Sequence, residues 1–344
     1  MKTEHRLYHW DNIKWFLICC VVLGHVGNQF ADVSYLMGVL RFWIYLFHMP
    51  AFIFVAGLFS KHIVNQRRWD RVVPYLLLFI FMKTLEYVAD VLILGWKHAS
   101  FYLLYAKGVP WFALGIFWFY AITILVRRVK PSYVLAVAVI FAVLSGYMRF
   151  ESTFLVMRRT IVFYPFFYAG YAANPGRLSD ELDHSWIKIT AMIVLTASFV
   201  FVWVCFYRIE PWRRLFLGRF KYVSIGEALK TGYALGGVWR IFAYIISTVL
   251  MLSVFALLPR GRIPLLSGIG QRTLSVYALH DPFIKLAAGL CLPLKRWITE
   301  FTFPGLRCLL LAAVVVLVFS LPLFDRAIRA MMHVPLRERQ NRSG

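Results

Sequence analysis

The sequence is poor in acidic residues and in charged residues altogether. Its 344 residues include 16 Asp and Glu against 38 Lys and Arg, and charged residues make up only 16% of the chain. A typical soluble domain has about 25%. Apolar residues reach 61%, and a run of about 20 of them is long enough to cross a bilayer. The composition therefore excludes an ordinary soluble domain and predicts a polytopic integral membrane protein.

Several familiar motifs are also missing. The chain has no GxSxG, HExxH, Walker or glycine-rich dinucleotide motif, which disfavours metal-dependent and nucleotide-hydrolysing mechanisms. No CxxC pair occurs, so we expect no disulfide framework, no metal site and no bound cofactor. The N-terminal segment lacks the small-residue cleavage site of a signal peptide, so the first helix should be retained. The cysteines all lie in or beside apolar segments: Cys19, Cys20, Cys205, Cys291 and Cys308.

The apolar residues fall into ten segments whose lengths suit membrane helices. No polar stretch between them is long enough for a separate soluble domain. We therefore predict one all-α membrane domain over residues 1–344, with about ten transmembrane helices. The segments cover approximately residues 13–30, 36–58, 72–94, 109–126, 132–148, 159–174, 187–207, 241–258, 273–292 and 305–324.

The net charge of +22 is explained by the connections between these segments. Residues 29–35 contain no Lys or Arg, whereas residues 61–71 contain four. This alternation follows the positive-inside rule and predicts that both termini are cytoplasmic. The basic loops should contact anionic membrane lipids, and we expect no nucleic-acid binding.

The connection over residues 208–240 mixes arginines, aromatics and glycines and is too polar to cross a bilayer. It is either an amphipathic segment that rests on lipid headgroups or a lid that binds substrate on the outer face.

Two histidines lie in the first two apolar segments, and an ionisable side chain inside a membrane is by default a functional candidate. His25 should lie about 18 Å along a first helix that begins near Ile13. A neutral imidazole there can act as a general base on a hydroxyl, or it can be a core histidine bonded to a neighbouring helix. His48 precedes Pro50, which predicts a kink that opens room for a ligand or only serves packing.

Basic residues at the predicted cytoplasmic ends form a second set of candidates. Lys14 either reaches the inner interface or binds a phosphate, and Asp11 nearby suits a helix N-cap. Arg68 and Arg71 are three residues apart, so on a helix they would share a face and could clamp a phosphate. They also satisfy the positive-inside rule without any ligand.

Further polar and aromatic candidates lie near the opposite side. Arg159 could grip an anionic or sugar ligand or anchor its helix, and Trp111 fits an interfacial or core aromatic. Lys83 and Glu86 are spaced to pair on one helix. The His280–Asp281 pair is compatible with a structural or a functional role.

Six stretches of the sequence resemble a known family. They are DNIKWFLICCVVLGHV, IYLFHMPAFIFVAGLFSKH, RRWDRVVPY, VPWFALGIFW, RRTIVFYPFFYAGY and GQRTLSVYALHDP. In this order they resemble the acyltransferase family 3 integral membrane proteins, in particular the fucose 4-O-acetylase-like branch. The resemblance covers residues 14–282.

The resemblance implies a ten-helix enzyme that moves acyl groups, most often acetyl from acetyl-CoA, to hydroxyls of exported sugars. The family signature is a basic residue and a catalytic histidine with ten residues between them. Here the pair is Lys14 and His25, with Lys in place of the usual Arg. Arg68 and Arg71 match the family's Arg-x-x-Arg, which implies contacts with the acyl donor. Trp111 begins Trp-Phe-Ala, where the family commonly has Trp-Phe-Leu.

We therefore expect a multi-pass enzyme of the bacterial inner membrane that uses acetyl-CoA as co-substrate and a sugar or polysaccharide as acceptor. Lys14, Arg68 and Arg71 would bind the donor and His25 would be the general base. Asp11, His48, Trp111 and Arg159 would line the acceptor site or cavity. The alternatives are a non-catalytic transporter or flippase for a sugar or lipid-linked intermediate, and a structural scaffold.

Overall fold

A computed structural model describes residues 8–30, 33–106, 108–300 and 302–333. In these ranges the regular structure is helical apart from an isolated antiparallel bridge between Tyr105 and Phe154. The predicted all-α class is confirmed.

Nineteen α-helices occur in the described ranges, and a 3₁₀ turn, Glu210–Trp212, lies between the eleventh and twelfth. They are α1 (Tyr8–Phe30), α2 (Tyr35–Tyr45), α3 (His48–Leu58), α4 (Lys61–Asn65), α5 (Trp69–Val72), α6 (Pro74–Leu94), α7 (Trp111–Val126), α8 (Pro131–Ser145), α9 (Met157–Ala172), α10 (Pro175–Glu181), α11 (Ser185–Ile209), α12 (Arg213–Phe216), α13 (Tyr222–Leu229), α14 (Gly236–Leu257), α15 (Pro264–Gly270), α16 (Thr273–Leu290), α17 (Leu292–Thr299), α18 (Pro304–Phe319) and α19 (Pro322–Met331).

Each of the ten predicted segments contains helix. Within the described ranges, four helical stretches are long and apolar enough to cross a membrane: Tyr8–Phe30, Tyr35–Leu58, Ser185–Phe216 and Gly236–Leu257. A fifth arises if α18 and α19, which meet at 61°, form one span. The count of ten spans and the cytoplasmic termini stay predictions. The terminal residues on which the orientation and the retained first helix partly depend lie outside the described ranges.

Helix α1 lies at the centre of the molecule. It packs against α2, α3, α15, α16 and α18, and Ile13, Leu17, Ile18, Val22 and Val26 are completely buried. An uninterrupted apolar run without proline favours a long helix, and an acidic residue in its first turn complements the helix dipole. Most of α1 is therefore enclosed by neighbouring helices.

The second predicted segment is broken just before Pro50, the residue that predicts the kink. Helix α2 ends at Tyr45 and α3 begins at His48, so Pro50 lies in the first turn of α3. A proline ring clashes with the carbonyl four residues earlier, here that of Leu46, so the helix has to break before the proline. Ser247 Oγ donates to the freed Leu46 carbonyl at 2.5 Å.

Helices α3 and α9 pack through two glycines. A Cβ atom at Gly57 would lie 2.0 Å from the Phe167 carbonyl oxygen, and one at Gly170 would lie 2.1 Å from the Phe54 carbonyl oxygen. Small residues allow this close backbone approach between membrane helices. The contact fixes α9 against α3, and with it the side chains that both helices present to the interior.

Gly170→Ala should lower the stability of the protein in detergent. The added methyl group forces the two backbones apart, and overpacking of this kind costs about 1–3 kcal/mol. Alanine is the better helix former by roughly 1 kcal/mol, so helix propensity alone predicts the opposite sign. The melting temperature of the purified variant measures the effect. Gly232→Ala is the matched control, since a Cβ atom there meets no atom within 4 Å. An unchanged or higher melting temperature for Gly170→Ala would contradict the packing.

Candidate active site

The site is built around a contact between α1 and α16. His25 Nδ1 lies 3.1 Å from Asp281 Oδ1, so the ring nitrogen donates its proton to the carboxylate. In a neutral imidazole this leaves Nε2 with the lone pair. A carboxylate that holds the ring in one tautomer and supports its charged form is a recurrent partner of catalytic histidines. His25 is thus arranged to accept a proton at Nε2.

The Asp281 carboxylate belongs to a chain of ion pairs. Its Oδ2 lies 3.2 Å from Lys285 Nζ, one turn further along α16. Lys285 Nζ lies 3.2 Å from Glu86 Oε1 on α6, and Glu86 Oε2 lies 3.4 Å from Lys83 Nζ. The Lys83–Glu86 contact that the spacing suggested is present. Because isolated charges are costly in an apolar interior, each group in the chain depends on its neighbours.

His280 supports the ring of His25 from the side. The two ring centroids are 5.0 Å apart in an edge-to-face arrangement. His280 is completely buried, and its Nδ1 lies 3.0 Å from the carbonyl oxygens of Val276 and Tyr277. Its orientation is therefore set by α16 itself, and it restricts rotation of His25.

His25 lies at the wall of a polar cavity of about 380 Å³. The wall contains Arg159, Arg213, Arg219 and Lys285, whereas Asp281 is its acidic residue. The cavity is therefore basic and suits an anionic ligand. The remaining lining residues are Asn28, Gln29, Tyr45, His48, Met49, Gly108, Val109, Trp111, Phe163, Phe216 and Leu217.

A second, narrower cavity of about 60 Å³ reaches His25 from another direction. It shares His25, Met49, Val109 and Trp111 with the polar cavity, and the rest of its wall is mainly apolar: Ile18, Val21, Phe52, Phe112, Thr273, Leu274 and Tyr277. Ile18 and Val21 precede His25 on α1, whereas the polar cavity contains Asn28 and Gln29, which follow it. The two cavities thus approach His25 from opposite ends of α1.

Arg159 is the most deeply buried cation of the polar cavity. It is 6% exposed, and its guanidinium carbon lies 4.6 Å from the ring centroid of Trp111. Phe163 stacks on the same indole ring with centroids 5.5 Å apart. Nε and Nη1 of Arg159 have no hydrogen-bond partner among the described residues. Since arginine donors are normally satisfied when buried, the cavity offers them to a ligand.

The break between α2 and α3 brings His48 to the same cavity. His48 Nδ1 lies 2.8 Å from the Ile44 carbonyl oxygen, which also accepts the backbone N–H of Phe47 at 3.2 Å. The ring also meets Tyr45 edge to face with centroids 4.9 Å apart. Asn28 Nδ2 donates to the Tyr45 hydroxyl at 2.8 Å.

The other four predicted site residues lie outside both cavities. Lys14 Nζ lies 2.8 Å from Asp11 Oδ1, and Gln271 Nε2 donates to Asp11 Oδ2 at 3.1 Å. His25 lies eleven positions after Lys14 on α1, a distance of roughly 16 Å along the helix axis. Lys14 therefore does not reach the imidazole, and Asp11 is not a cavity residue.

Arg68 and Arg71 converge on Asp70 and do not share a helix face. Arg68 precedes the first residue of α5, and its Nε and Nη2 donate to the two Asp70 oxygens at 2.9 and 2.7 Å. These hydrogen bonds lower the pKa of the Asp70 carboxyl. Arg71 Nε lies 3.6 Å from Asp70 Oδ2, and the Arg71 side chain is 63% exposed.

A family model described as an acyltransferase domain, that of acyltransferase family 3, matches residues 7–323. The chain belongs to acyltransferase family 3. No match was found among curated proteins or among solved structures. The predicted family is confirmed, and the apolar helices together with the family make the chain an integral membrane acyltransferase. The fucose 4-O-acetylase-like branch stays a prediction.

In this acyltransferase, the structure adds four residues that the sequence did not single out for the site. The sequence alone indicates no role for Lys285, Arg213 or Arg219. It is compatible with either a structural or a functional role for Asp281. The available signal was the spacing of Asp281 and Lys285, an acid and a base one turn apart on an otherwise apolar helix. In the described part of the chain, no group of three His, Cys, Asp or Glu side chains is placed to share a metal ion.

Asp281→Asn should reduce kcat for acyl transfer by about 10²–10⁴-fold, the rate factor that a positioned general base usually contributes, because it deprives His25 of its carboxylate partner. The amide cannot stabilise an imidazolium as a carboxylate does. KM for the donor should change little, because Asp281 contacts His25 and does not line the narrow cavity. The rate of CoA release from acetyl-CoA measures both constants. Glu181→Gln, at a carboxylate that is 56% exposed, is the matched control. If Asp281→Asn kept the wild-type kcat, Asp281 would have no role in catalysis.

Proposed function

We propose that the chain is an O-acyltransferase of the bacterial inner membrane. It moves an acetyl group from cytoplasmic acetyl-CoA to a hydroxyl of an exported or surface sugar, and His25 is the general base. One observation carries this proposal: the imidazole bonded to Asp281 lies where a narrow apolar cavity and a wide polar cavity meet. A base at such a junction can act between two substrates that arrive from different directions.

The narrow cavity suits the donor. Its mainly apolar wall suits the thioester end of the uncharged pantetheine arm, and Ile18 and Val21 place it on the Lys14 side of His25. In the predicted orientation that side faces the cytoplasm, where acetyl-CoA is found. The CoA phosphates would then lie near Lys14, Arg68 and Arg71. Each of these cations has a carboxylate beside it, so a phosphate would share or displace that partner.

The acceptor occupies the wide cavity. Its hydroxyl oxygen attacks the thioester carbonyl carbon while His25 Nε2 takes the hydroxyl proton. Asp281 stabilises the imidazolium that forms. When the carbon–sulfur bond breaks, the CoA thiolate leaves and takes that proton from His25, so the ester and free CoA are the only products.

The same atoms also serve a two-step route in which His25 Nε2 attacks the thioester first. Acetyl-histidine forms as the carbon–sulfur bond breaks and the CoA thiolate leaves. The acceptor oxygen then attacks the acetyl carbon, the carbon–nitrogen bond to Nε2 breaks, and the hydroxyl proton passes through the freed imidazole to the CoA thiolate. Enzyme that is mixed with radiolabelled acetyl-CoA without acceptor, denatured at neutral pH and still labelled would show the two-step route, because an acyl-imidazole hydrolyses rapidly in acid. Direct transfer leaves the protein unlabelled.

Purified protein with [¹⁴C]acetyl-CoA and membrane extract as acceptor source tests the function. We expect label to pass to the extract with the wild type, and at least 10²-fold more slowly with His25→Ala. The matched control is His62→Ala, because His62 is an exposed histidine on α4 outside both cavities.

Two outcomes would contradict the proposal. Full activity in a folded His25→Ala variant would exclude the base role. Movement of sugar-lipids by the wild type without any CoA release would favour a transporter.

A further inference from the structure

A third cavity, which the proposed mechanism does not use, lies between α2, α11, α12 and α14. It is an apolar groove of about 690 Å³, and Ser198 is the one hydroxyl-bearing residue in its wall. Phe201, Phe242 and Ile245 in the wall are 58%, 60% and 54% exposed. In a membrane protein such side chains face lipid, so the groove opens sideways into the bilayer.

The groove has the depth of one membrane leaflet. Along α14 it runs from Trp239 to Leu250, eleven residues or roughly 17 Å. Half of a hydrocarbon core of about 30 Å is of similar length. Trp212 and Trp239 meet edge to face at one end, with centroids 5.3 Å apart, and tryptophan is typical of the boundary between hydrocarbon and water. A hydrocarbon chain fits the groove with its polar end beside these tryptophans.

The end of the groove at Trp212 and Trp239 adjoins the active-site cavity. Phe216 of α12 lines both the groove and the polar cavity. Arg213, at the start of the same short helix, lines the polar cavity and pairs with Glu210 at 2.9 Å. A molecule whose chain lies in the groove can therefore extend its head over α12 towards His25.

The polar cavity is prepared for an anion in that head. Arg159 is buried with two donor nitrogens unpartnered among the described residues, and Arg213 and Arg219 lie in the same wall. Glu210 pairs with Arg213, and the two oxygens of Asp281 lie against His25 and Lys285, so Asp281 is not the partner of Arg159. A guanidinium group matches the geometry of phosphate oxygens and binds them in pairs.

We propose that the acceptor is a lipid-linked sugar phosphate. Its hydrocarbon chain lies in the groove between α11 and α14, its phosphate contacts Arg159 with Arg213 and Arg219, and a sugar hydroxyl reaches His25. This inference rests on the proposed function, because it assigns the acceptor of the same site. The arginines line the cavity that contains Asn28 and Gln29, and none of them lines the narrow cavity, so the donor phosphates do not compete for them.

Binding of three probes to protein in phosphatidylcholine nanodiscs tests the proposal. They are farnesyl phosphoglucose, farnesyl glucoside, which lacks the phosphate, and glucose 1-phosphate, which lacks the chain. We expect wild-type protein to bind farnesyl phosphoglucose at least tenfold more tightly than either of the others. Arg159→Met should remove the preference for the phosphate and leave the affinity for farnesyl glucoside unchanged.

A second variant tests the groove without touching a buried residue. Ala197 is exposed on α11 and lines the groove, so Ala197→Phe fills it from the lipid side. We expect at least tenfold weaker binding of both farnesyl probes and unchanged binding of glucose 1-phosphate. Thr196→Phe is the matched control, since Thr196 is the exposed neighbour outside the groove wall. Equal binding of the three probes by the wild type, or equal behaviour of Ala197→Phe and Thr196→Phe, would overturn the proposal.

Acetyl-CoA turnover with membrane extract, measured on the same preparations, separates the two proposals. Turnover by the wild type without the expected pattern of binding means that the enzyme acts on another acceptor, and this inference fails alone. Absence of CoA release means that the proposed function fails.

Discussion

The carboxylate of Asp281 accepts a hydrogen bond from His25 at 3.1 Å at a buried position on α16. A charged carboxylate is costly there unless cations face it. Lys285 supplies one, Glu86 on α6 balances Lys285, and Lys83 balances Glu86. Three helices that are distant in the chain are thereby tied to one position of the imidazole. The central placement of α1, which packs against five other helices, supplies the apolar surroundings that make the ion pairs necessary.

The walls of the site depend on irregular features of neighbouring helices. Pro50 forces the break that separates α2 from α3, and the break turns His48 and Tyr45 towards the polar cavity. The close packing at Gly57 and Gly170 holds α9 against α3, and α9 contributes Arg159 to the wall of the same cavity. The connection over residues 208–240 adds Arg213 and Arg219. The shape and charge of the cavity thus depend on Pro50, on Gly57 and Gly170, and on the connection that contains α12.

The helical class and the approximate positions of the apolar helices could be predicted because apolar runs are local features of the sequence. His25 could be singled out as a candidate because it is an ionisable residue within such a run. The sequence also brought His48, Trp111 and Arg159 to attention, and the structure places these three around one cavity. The partnership of His25 with Asp281 could not be read in advance, because it depends on how α1 and α16 pack. Arg68 does not share a helix face with Arg71, because Arg68 precedes the first residue of α5 and its side chain bonds to Asp70.

The most direct measurement is a cryo-electron microscopy structure with S-acetonyl-CoA, a ketone analogue of acetyl-CoA that cannot transfer its acyl group. The central claim is that donor and acceptor reach His25 from opposite ends of α1. The account predicts density for the pantetheine arm in the narrow cavity beside Ile18 and Val21, with the ketone carbonyl next to His25 and the wide cavity open. Density for the CoA phosphates among Arg159, Arg213 and Arg219 would contradict it, because the basic cavity would then be the donor site.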